Sequence, residues 1–382
     1  MLIKMDIPTY LDCNATTPLE ASVLETLLHY LTVDYGNEGS RTHEYGSRAK
    51  QAVQKARDQV GAVVGAKRDE VLFTSGATES NNIAILGLAE EGLKKNKKHL
   101  ITTRIEHKAV LEPFEHLERQ GFEVSWFEVS PSGRVDPKEV ANALRDDTLL
   151  VSIMQANNET GITQPLDEIC ELLKDHSAYF HTDAAQAYGK ELTALKNERI
   201  DLISVSAHKI YGPKGIGALI ARRRGFRKCP LTALVAGGGQ ERGIRPGTLP
   251  VALIAALGEA ARLAAKNAEQ RRQRCLQIRK QAIDAFAALQ PQFTGEQDFV
   301  MPHVLNLAIS DIDSEALILS LKDLIAISNG SACTSASYSP SHVLKAMGMT
   351  NDQANSCIRI SWSHMTSDIN WNAITERIRT MD

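Results

Sequence analysis

The sequence lacks a long hydrophobic run and has few cysteines. Its longest uninterrupted apolar stretch, residues 251–257, is seven residues long, whereas a membrane-spanning helix needs about 20. The first ten residues include Asp6 and Pro8, so they do not form the apolar core of a secretory signal. The six cysteines stand at least 24 positions apart without a Cys-x-x-Cys pair, which argues against a disulfide framework or a zinc module. We therefore expect a cytoplasmic protein with reduced thiols and no membrane association.

The sequence also has no large excess of positive or negative charge. The 43 basic and 46 acidic residues give a formal net charge of −3, which argues against a general polyanion-binding surface. Basic clusters at residues 222–224 and 271–274 are interpreted as solvated faces, and we expect no direct nucleic-acid binding. The length of 382 residues allows two or three domains, or one large α/β domain with an appendage.

Short β-rich runs alternate with helical stretches through the first two thirds of the chain. The predicted strands are residues 71–74, 99–102, 124–127, 149–154, 179–182, 202–206 and 216–220. This alternation predicts an α/β fold with a mainly parallel sheet covered by helices on both faces. After residue 250 the pattern predicts one or two long helices over 251–286 and a strand at 304–309. We expect a large domain of residues 16–261 and a smaller α+β domain of residues 1–15 and 262–382.

Residues that follow the strands of such a sheet are the first candidates for a site, because ligands bind beyond the carboxyl ends of the strands. Residues 74–79 (TSGATE) run from a strand through a glycine turn into a helix. Free backbone N–H groups and hydroxyls at a helix start bind phosphate, although a simple capped turn is the alternative interpretation.

Asp183 and Lys209 follow two successive predicted strands and are 26 residues apart. A carboxylate that holds a pyridine nitrogen protonated and an amine that forms a Schiff base are the two groups that pyridoxal phosphate requires. Lys214 competes for the second role, but it lies between Pro213 and Gly215 in a predicted turn. We therefore favour Lys209.

Two further residues suggest chemistry. His107 follows the strand at 99–102, where a histidine can stack on a planar cofactor and exchange protons; a surface histidine is the alternative. Cys333 lies in residues 328–340 (SNGSACTSASYSP), a run with little apolar surface to bury. An exposed loop with a reactive thiol is therefore favoured over a core cysteine.

Together these residues resemble the cysteine desulfurases, enzymes of the class V aminotransferase family with the fold of PLP-dependent transferases of type I. The resemblance covers residues 10–362 in order. Its motifs are residues 10–18 (YLDCNATTP), 74–80 (TSGATES), 106–108 (EHK), 157–159 (NNE), 183–186 (DAAQ), 206–215 (SAHKIYGPKG), 237–243 (GGGQERG) and 331–335 (SACTS).

The resemblance implies a role for each matching position. The cofactor would be pyridoxal 5'-phosphate, with Lys209 as the Schiff-base lysine, Asp183 on the pyridine nitrogen and His107 stacked on the ring. The other cofactor-binding residues would be Asn158 and Gln186 near the phenolate oxygen, Ala77, Thr78, Ser206 and His208 at the phosphate, and Thr248 from the neighbouring subunit of a homodimer. Arg359 would bind the substrate carboxylate, which suits its bidentate guanidinium.

The resemblance also implies the reaction. L-cysteine would be converted to L-alanine while Cys333 takes the sulfur as a persulfide, and the loop would carry the sulfur to an acceptor protein. Residues 36–46 and 111–117 resemble the DndA type of DNA phosphorothioation systems more closely than the iron–sulfur cluster assembly enzymes. The acceptor would belong to DNA phosphorothioation or to iron–sulfur cluster assembly. A different PLP enzyme of the same fold, such as a selenocysteine lyase, and a non-catalytic scaffold are the alternatives.

Overall fold

The computed structural model describes residues 7–310, 312–329 and 340–381. Within them the strands are β1 (Thr9–Tyr10), β2 (Val71–Thr74), β3 (His99–Thr103), β4 (Glu123–Phe127), β5 (Thr148–Ser152), β6 (Tyr179–Asp183), β7 (Leu202–Ser206), β8 (Gly217–Ala221), β9 (Gln292–Phe293), β10 (Val304–Ala308), β11 (Ile325–Ala326) and β12 (Cys357–Ser361).

The helices pack around these strands. They are α1 (Ala21–Thr32), α2 (Glu44–Val64), α3 (Ala77–Leu86), α4 (Ala89–Lys95), α5 (Lys108–Arg119), α6 (Pro137–Ala143), α7 (Leu166–Leu172), α8 (Val251–Phe286), α9 (Ser314–Leu321), α10 (His342–Ala346), α11 (Asn351–Asn355) and α12 (Trp371–Arg379). Among the described helices, none combines the length and the apolar character required to cross a membrane.

The largest described sheet has seven strands in the order β2-β8-β7-β6-β5-β3-β4. The pairs among β7, β6, β5, β3 and β4 are parallel, and β8 is antiparallel to both β7 and β2. Strand β2 therefore points the same way as β7, and the carboxyl ends of β2, β3, β6 and β7 meet at one edge. The predicted α/β class and mainly parallel sheet are confirmed; the reversed direction of β8 is the difference.

Each strand of this sheet sends alternate side chains to two separate apolar layers. Phe73, Ile101 and Val205 face the layer that contains apolar residues of α2, α7 and the first half of α8. Leu72 and Leu100 face the layer formed with α3 and α5. Burial on both faces explains why these strands read as nearly continuous apolar runs in the sequence.

A second core lies around the smaller sheet, whose order is β12-β10-β9. It contains the second half of α8 together with residues of α9 and α12, and Leu11 packs into it from the N-terminal segment. Strand β1 pairs with β11, placing Thr9 opposite Ile325. The proposed domain border at residue 261/262 falls inside α8, which is one continuous helix of 36 residues.

The interpretation of the two basic clusters as solvated faces is wrong for several of their members. Arg222 is 6% exposed, and its Nη2 donates to the carbonyl oxygens of Val64 and Leu195 at 2.6 and 2.8 Å. Arg271 is 7% exposed and pairs with Glu20 at 2.6 Å. These arginines donate hydrogen bonds to backbone carbonyl and carboxylate oxygens inside the protein. The several N–H donors of the guanidinium group suit this role.

Candidate active site

A cavity of about 560 Å³ opens where the carboxyl ends of β2, β3, β6 and β7 meet. Its lining includes most of the predicted site residues: Ala77, Thr78, His107, Asn158, Asp183, Gln186, Ser206, His208, Lys209 and Arg359. Residues far apart in the sequence are therefore brought to one place. Lys214, the competing lysine, also lines the cavity, but it is exposed and lies at the rim.

The predicted phosphate turn lies at the N-terminal end of α3. Gly76, the residue before the helix, has φ of 158°, a conformation that favours glycine. The start of β8 passes so close that a Cβ on Gly217 would lie 2.6 Å from the Cα of Gly76. The first intrahelical bond runs from the Ser80 N–H to the Gly76 carbonyl. The N–H groups of Ala77 and Thr78 precede it, so they lack an intrahelical acceptor and suit an anion.

Asp183 is the last residue of β6 and is 6% exposed. Its Oδ2 accepts a hydrogen bond from Asn81 Nδ2 at 2.6 Å, and its Oδ1 accepts one from the Ala185 N–H at 2.9 Å. Two donors therefore hold the carboxylate in place. The sequence analysis did not identify Asn81 as a site residue. It could have been found as a polar residue on the face of α3 that also carries Ala84 and Ile85, both buried.

Lys209 follows β7 and points its amine at the N-terminal segment. Its Nζ donates to the carbonyl oxygen of Ala15 at 2.8 Å and also to that of Asn14. The Asn14 carbonyl accepts a second bond from Gln186 Nε2 at 2.9 Å. Asn14 itself is 1% exposed. The motif at residues 10–18 therefore forms one wall of the cavity, a role that the sequence did not reveal.

The two adjacent asparagines after β5 have different tasks. Asn157 is fully buried and shapes its loop: its Nδ2 donates to the Ile105 carbonyl, and its Oδ1 accepts from the Glu159 and Thr160 N–H groups. Asn158 lines the cavity, and its carbonyl accepts hydrogen bonds from outside the loop. The structure thus places Asn158 at the cavity, and its contact with a cofactor stays a prediction.

His107 forms the N-cap of α5 at the mouth of the cavity. Its Nδ1 accepts the Ala109 N–H at 3.0 Å, which leaves Nε2 to carry the proton of the neutral ring. Burial lowers its pKa; the carboxylate of Asp183 opposes this effect and the charge of Lys209 adds to it. A neutral imidazole is therefore favoured.

Arg359 comes from the smaller sheet, on β12, and is 3% exposed. Its Nη2 pairs with Asp12 Oδ1 at 2.6 Å, and its Nη1 donates to the Asn158 carbonyl at 2.9 Å. Its Nε has no hydrogen-bond partner among the described residues. The guanidinium is thus held from two sides while one donor stays available.

His208 and Ser206 stand beside the phosphate turn. Burial lowers the pKa of His208 to about 4, and the charges of nearby lysines act in the same direction. His208 Nδ1 lies 3.2 Å from the Thr16 hydroxyl oxygen. A neutral His208 can therefore hydrogen-bond at neutral pH without contributing charge.

Comparisons with known proteins place this geometry in a family. The model of the family "Aminotransferase class-V" matches residues 9–370. "Cysteine desulfurase IscS" of Vibrio cholerae is 44% identical over 378 residues, which cover 98% of this chain and 93% of the relative. The chain belongs to the cysteine desulfurases of the class V aminotransferase family. The predicted family, fold and enzyme class are therefore confirmed.

Solved structures of this family show the same fold. DndA from Streptomyces lividans has a TM-score of 0.82 and 47% identity, covering 93% of this chain and 99% of that chain. A structure described as SspA in complex with cysteine has a TM-score of 0.81 and 35% identity, covering 94% and 100%.

Two residues expected in a cysteine desulfurase site are not part of this cavity's described lining. Thr248 is exposed and lies outside the set of described residues that line the cavity. Cys333 falls outside the described residues. Their roles stay predictions from the sequence.

Proposed function

We propose that this cysteine desulfurase uses pyridoxal 5'-phosphate to convert L-cysteine to L-alanine and transfers the sulfur through Cys333 to an acceptor protein. One observation carries the proposal: Lys209, Asp183 and His107 line the same cavity into which α3 directs its first N–H groups. An amine, a carboxylate, an imidazole and an anion seat are the set that this cofactor needs.

The cavity also offers polar atoms that the protein itself leaves unpaired. Asn14 Oδ1, Asn81 Oδ1 and Gln186 Oε1 are buried without a hydrogen-bond partner among the described residues. Buried polar atoms are usually satisfied, so their clustering around one cavity fits a polar ligand. Lys209 would hold the aldehyde carbon of the cofactor, Asp183 its ring nitrogen, and Ala77, Thr78, Ser206 and His208 its phosphate.

When bound, the cofactor supplies an electron sink that makes the bonds at the substrate α-carbon labile. Lys209 would then remove the α-proton at its Nζ. His107, whose Nε2 carries the proton of the neutral ring, would cover the site and move a proton at that atom. Arg359 would orient the substrate by its carboxylate, because Asp12 and the Asn158 carbonyl hold the guanidinium in place.

Cys333 would complete the reaction as a thiolate. Its sulfur forms a bond to the substrate sulfur while the Cβ–S bond of the substrate breaks, and that electron pair stays on carbon, which is later protonated to give L-alanine. The product on the enzyme is a persulfide. The SACTS motif at residues 331–335 supports this role, and the complex of the SspA neighbour with cysteine supports the substrate.

The active unit would be a homodimer. Thr248 lies at the end of a loop that contacts the phosphate turn, and it is exposed, so it can contact a second subunit. We propose that it reaches the phosphate bound by that subunit. The acceptor would be a protein of DNA phosphorothioation, supported by the 47% identity to DndA, with iron–sulfur assembly as the second candidate, supported by the likeness to IscS. Delivery would take place in the cytoplasm, where thiols stay reduced.

The test is an anaerobic assay of the purified protein with L-cysteine that follows alanine and reducible sulfur. Lys209→Ala and Cys333→Ala should both abolish turnover, whereas Lys214→Ala and Cys229→Ala, the matched controls, should keep most of it. Alanine formation at the wild-type rate by Cys333→Ala would refute the thiol's role and favour an enzyme such as a selenocysteine lyase. A protein that retains no pyridoxal phosphate would refute the cofactor.

A further inference from the structure

A loop of residues 237–248, here called the glycine-rich loop, is held at two points, one on β2 and one on the phosphate turn. The first is Glu241, whose carboxylate is buried. Its Oε2 accepts the Phe73 N–H of β2 at 2.9 Å and a bond from Arg57 Nη1 at 2.8 Å. The Arg57 guanidinium makes a second contact with Glu241 Oε1.

The reason for this contact lies in the position of β2. It is the last strand of its sheet, so its outer edge has backbone groups with no neighbouring strand. Glu241 takes the N–H of Phe73, and the guanidinium groups of Arg57 and Arg242 donate to the Val71 carbonyl at 2.7 and 2.9 Å. Side chains of the loop and of α2 thus take the place of a further strand.

The loop backbone shows the cost of this arrangement. Glu241 and Arg242 have φ of 48° and 60°, the left-handed region that residues other than glycine rarely adopt. Such a conformation persists only where the surrounding contacts impose it. The glycine-rich loop is therefore held in one shape against the edge of β2.

The second tie reaches the phosphate turn itself. Arg245 Nε donates to Glu79 Oε1 at 2.9 Å, and Glu79 Oε2 accepts the Ser75 N–H at 2.5 Å. Glu79 lies in the first turn of α3, next to the N–H groups proposed to bind phosphate. Its carboxylate would repel a phosphate, and the charge of Arg245 offsets that repulsion.

Thr248 lies three residues after Arg245 and is exposed outside the described lining of its own cavity. We infer that Arg245 is a positioning residue that links the phosphate turn of its own subunit to the Thr248 offered to the partner. This inference rests on the proposed function, since it needs both the cofactor and the dimer.

Two heterodimers separate this role from a purely local one. In the first, one subunit carries Arg245→Gln and the other Lys209→Ala. In the second, one subunit carries both substitutions and the other is wild type. Borohydride reduction fixes the cofactor covalently only on a subunit that has Lys209. The fixed fraction at increasing pyridoxal phosphate therefore gives the affinity of one chosen site in each heterodimer.

In the second heterodimer the subunit with Lys209, whose affinity is measured, is wild type and has an intact phosphate turn. Only the Thr248 that contacts its phosphate comes from the altered loop of the other subunit. We expect its dissociation constant to rise about tenfold, the effect of one weakened charge-assisted hydrogen bond. Arg245→Lys in the same place should restore most of the affinity. Arg377→Gln, which breaks an exposed pair with Asp323 far from the cavity, is the control and should change nothing.

The outcomes separate the inference from the function on which it rests. An unchanged affinity in the second heterodimer, with a weakened site in the first, would overturn the link and leave Arg245 a local role. A wild-type protein that binds cofactor but is monomeric by light scattering would overturn the dimer and the link with it. A wild type in which no cofactor can be fixed would overturn the proposed function. Thermal unfolding of every variant shows that each is folded.

Discussion

Replacement of Asn81 by alanine tests how Asp183 is prepared for the cofactor. Asn81 is fully buried in α3, and its Nδ2 donates to Asp183 Oδ2 at 2.6 Å. The substitution removes one of the two described donors and leaves the bond from the Ala185 N–H. The Asp183 carboxylate would remain in the cavity, but its Oδ2 would lose the donor that fixes it. Its interaction with the ring nitrogen of the cofactor would therefore be weaker.

The magnitude follows from the kind of bond that is lost. A hydrogen bond to a charged group contributes about 1.5–3 kcal/mol, and every 1.4 kcal/mol or so is a factor of ten in affinity. We therefore expect the dissociation constant for pyridoxal phosphate to rise by about 10- to 100-fold. Asn81→Asp should be worse, because two carboxylates at this distance cannot both stay ionised.

The assay is titration of the apoprotein with pyridoxal phosphate, followed by equilibrium dialysis. Asn82→Ala is the matched control: it lies one position further along the same helix, and its Nδ2 donates to the Thr78 carbonyl instead. An Asn81→Ala protein that is folded and binds the cofactor within about twofold of the wild type would refute the reasoning, because the bond at 2.6 Å would then contribute nothing.

Two further predictions concern stability. Gly217→Ala should lower the free energy of unfolding by about 1–3 kcal/mol and weaken cofactor binding, because its Cβ would lie 2.6 Å from the Gly76 Cα; urea unfolding measures this, and Gly239→Ala, which meets no atom within 4 Å, should behave like the wild type. Burial lowers the pKa of His181 to about 3, while an unfolded histidine titrates near 6.5, so the unfolded state binds more protons and stability should fall by about 5 kcal/mol as the pH drops from 6.5 to 3. His181→Asn should flatten this slope in urea titrations at several pH values, and an equal slope would contradict it; the exposed His116→Asn should leave the slope unchanged.

The sheet could be predicted well because its strands are buried on both faces. Residues 71–74 and 202–206 were predicted as strands and match β2 and β7 in both bounds. The direction of β8 was not predicted. Direction depends on whether the connection returns beside the previous strand or crosses the sheet, and the short segment after Lys209 returns.

The site residues could be predicted where a strand end and a reactive group coincide. Asp183, Lys209 and His107 each follow a strand, and parallel strands end at one edge of a sheet. Asn14, Asn81 and Asp12 could not be assigned roles, because each contributes through contacts with residues distant in the sequence. The interpretation of Arg222 as solvated failed for the same reason. A sequence shows that the side chain is charged, but not which carbonyl oxygens accept its hydrogen bonds.

The sequence alone determined the alternation of strands and helices, the order of the motifs and the chemical types of the groups at the strand ends, because these depend on local periodicity and residue identity. Only the tertiary structure decided that Asp12 and Arg359, which are 347 positions apart, form a pair at 2.6 Å, and that Glu241 covers the free edge of β2. Such contacts depend on how segments that are distant in the sequence pack together, and no local pattern records the distance between residues that the folded chain brings together.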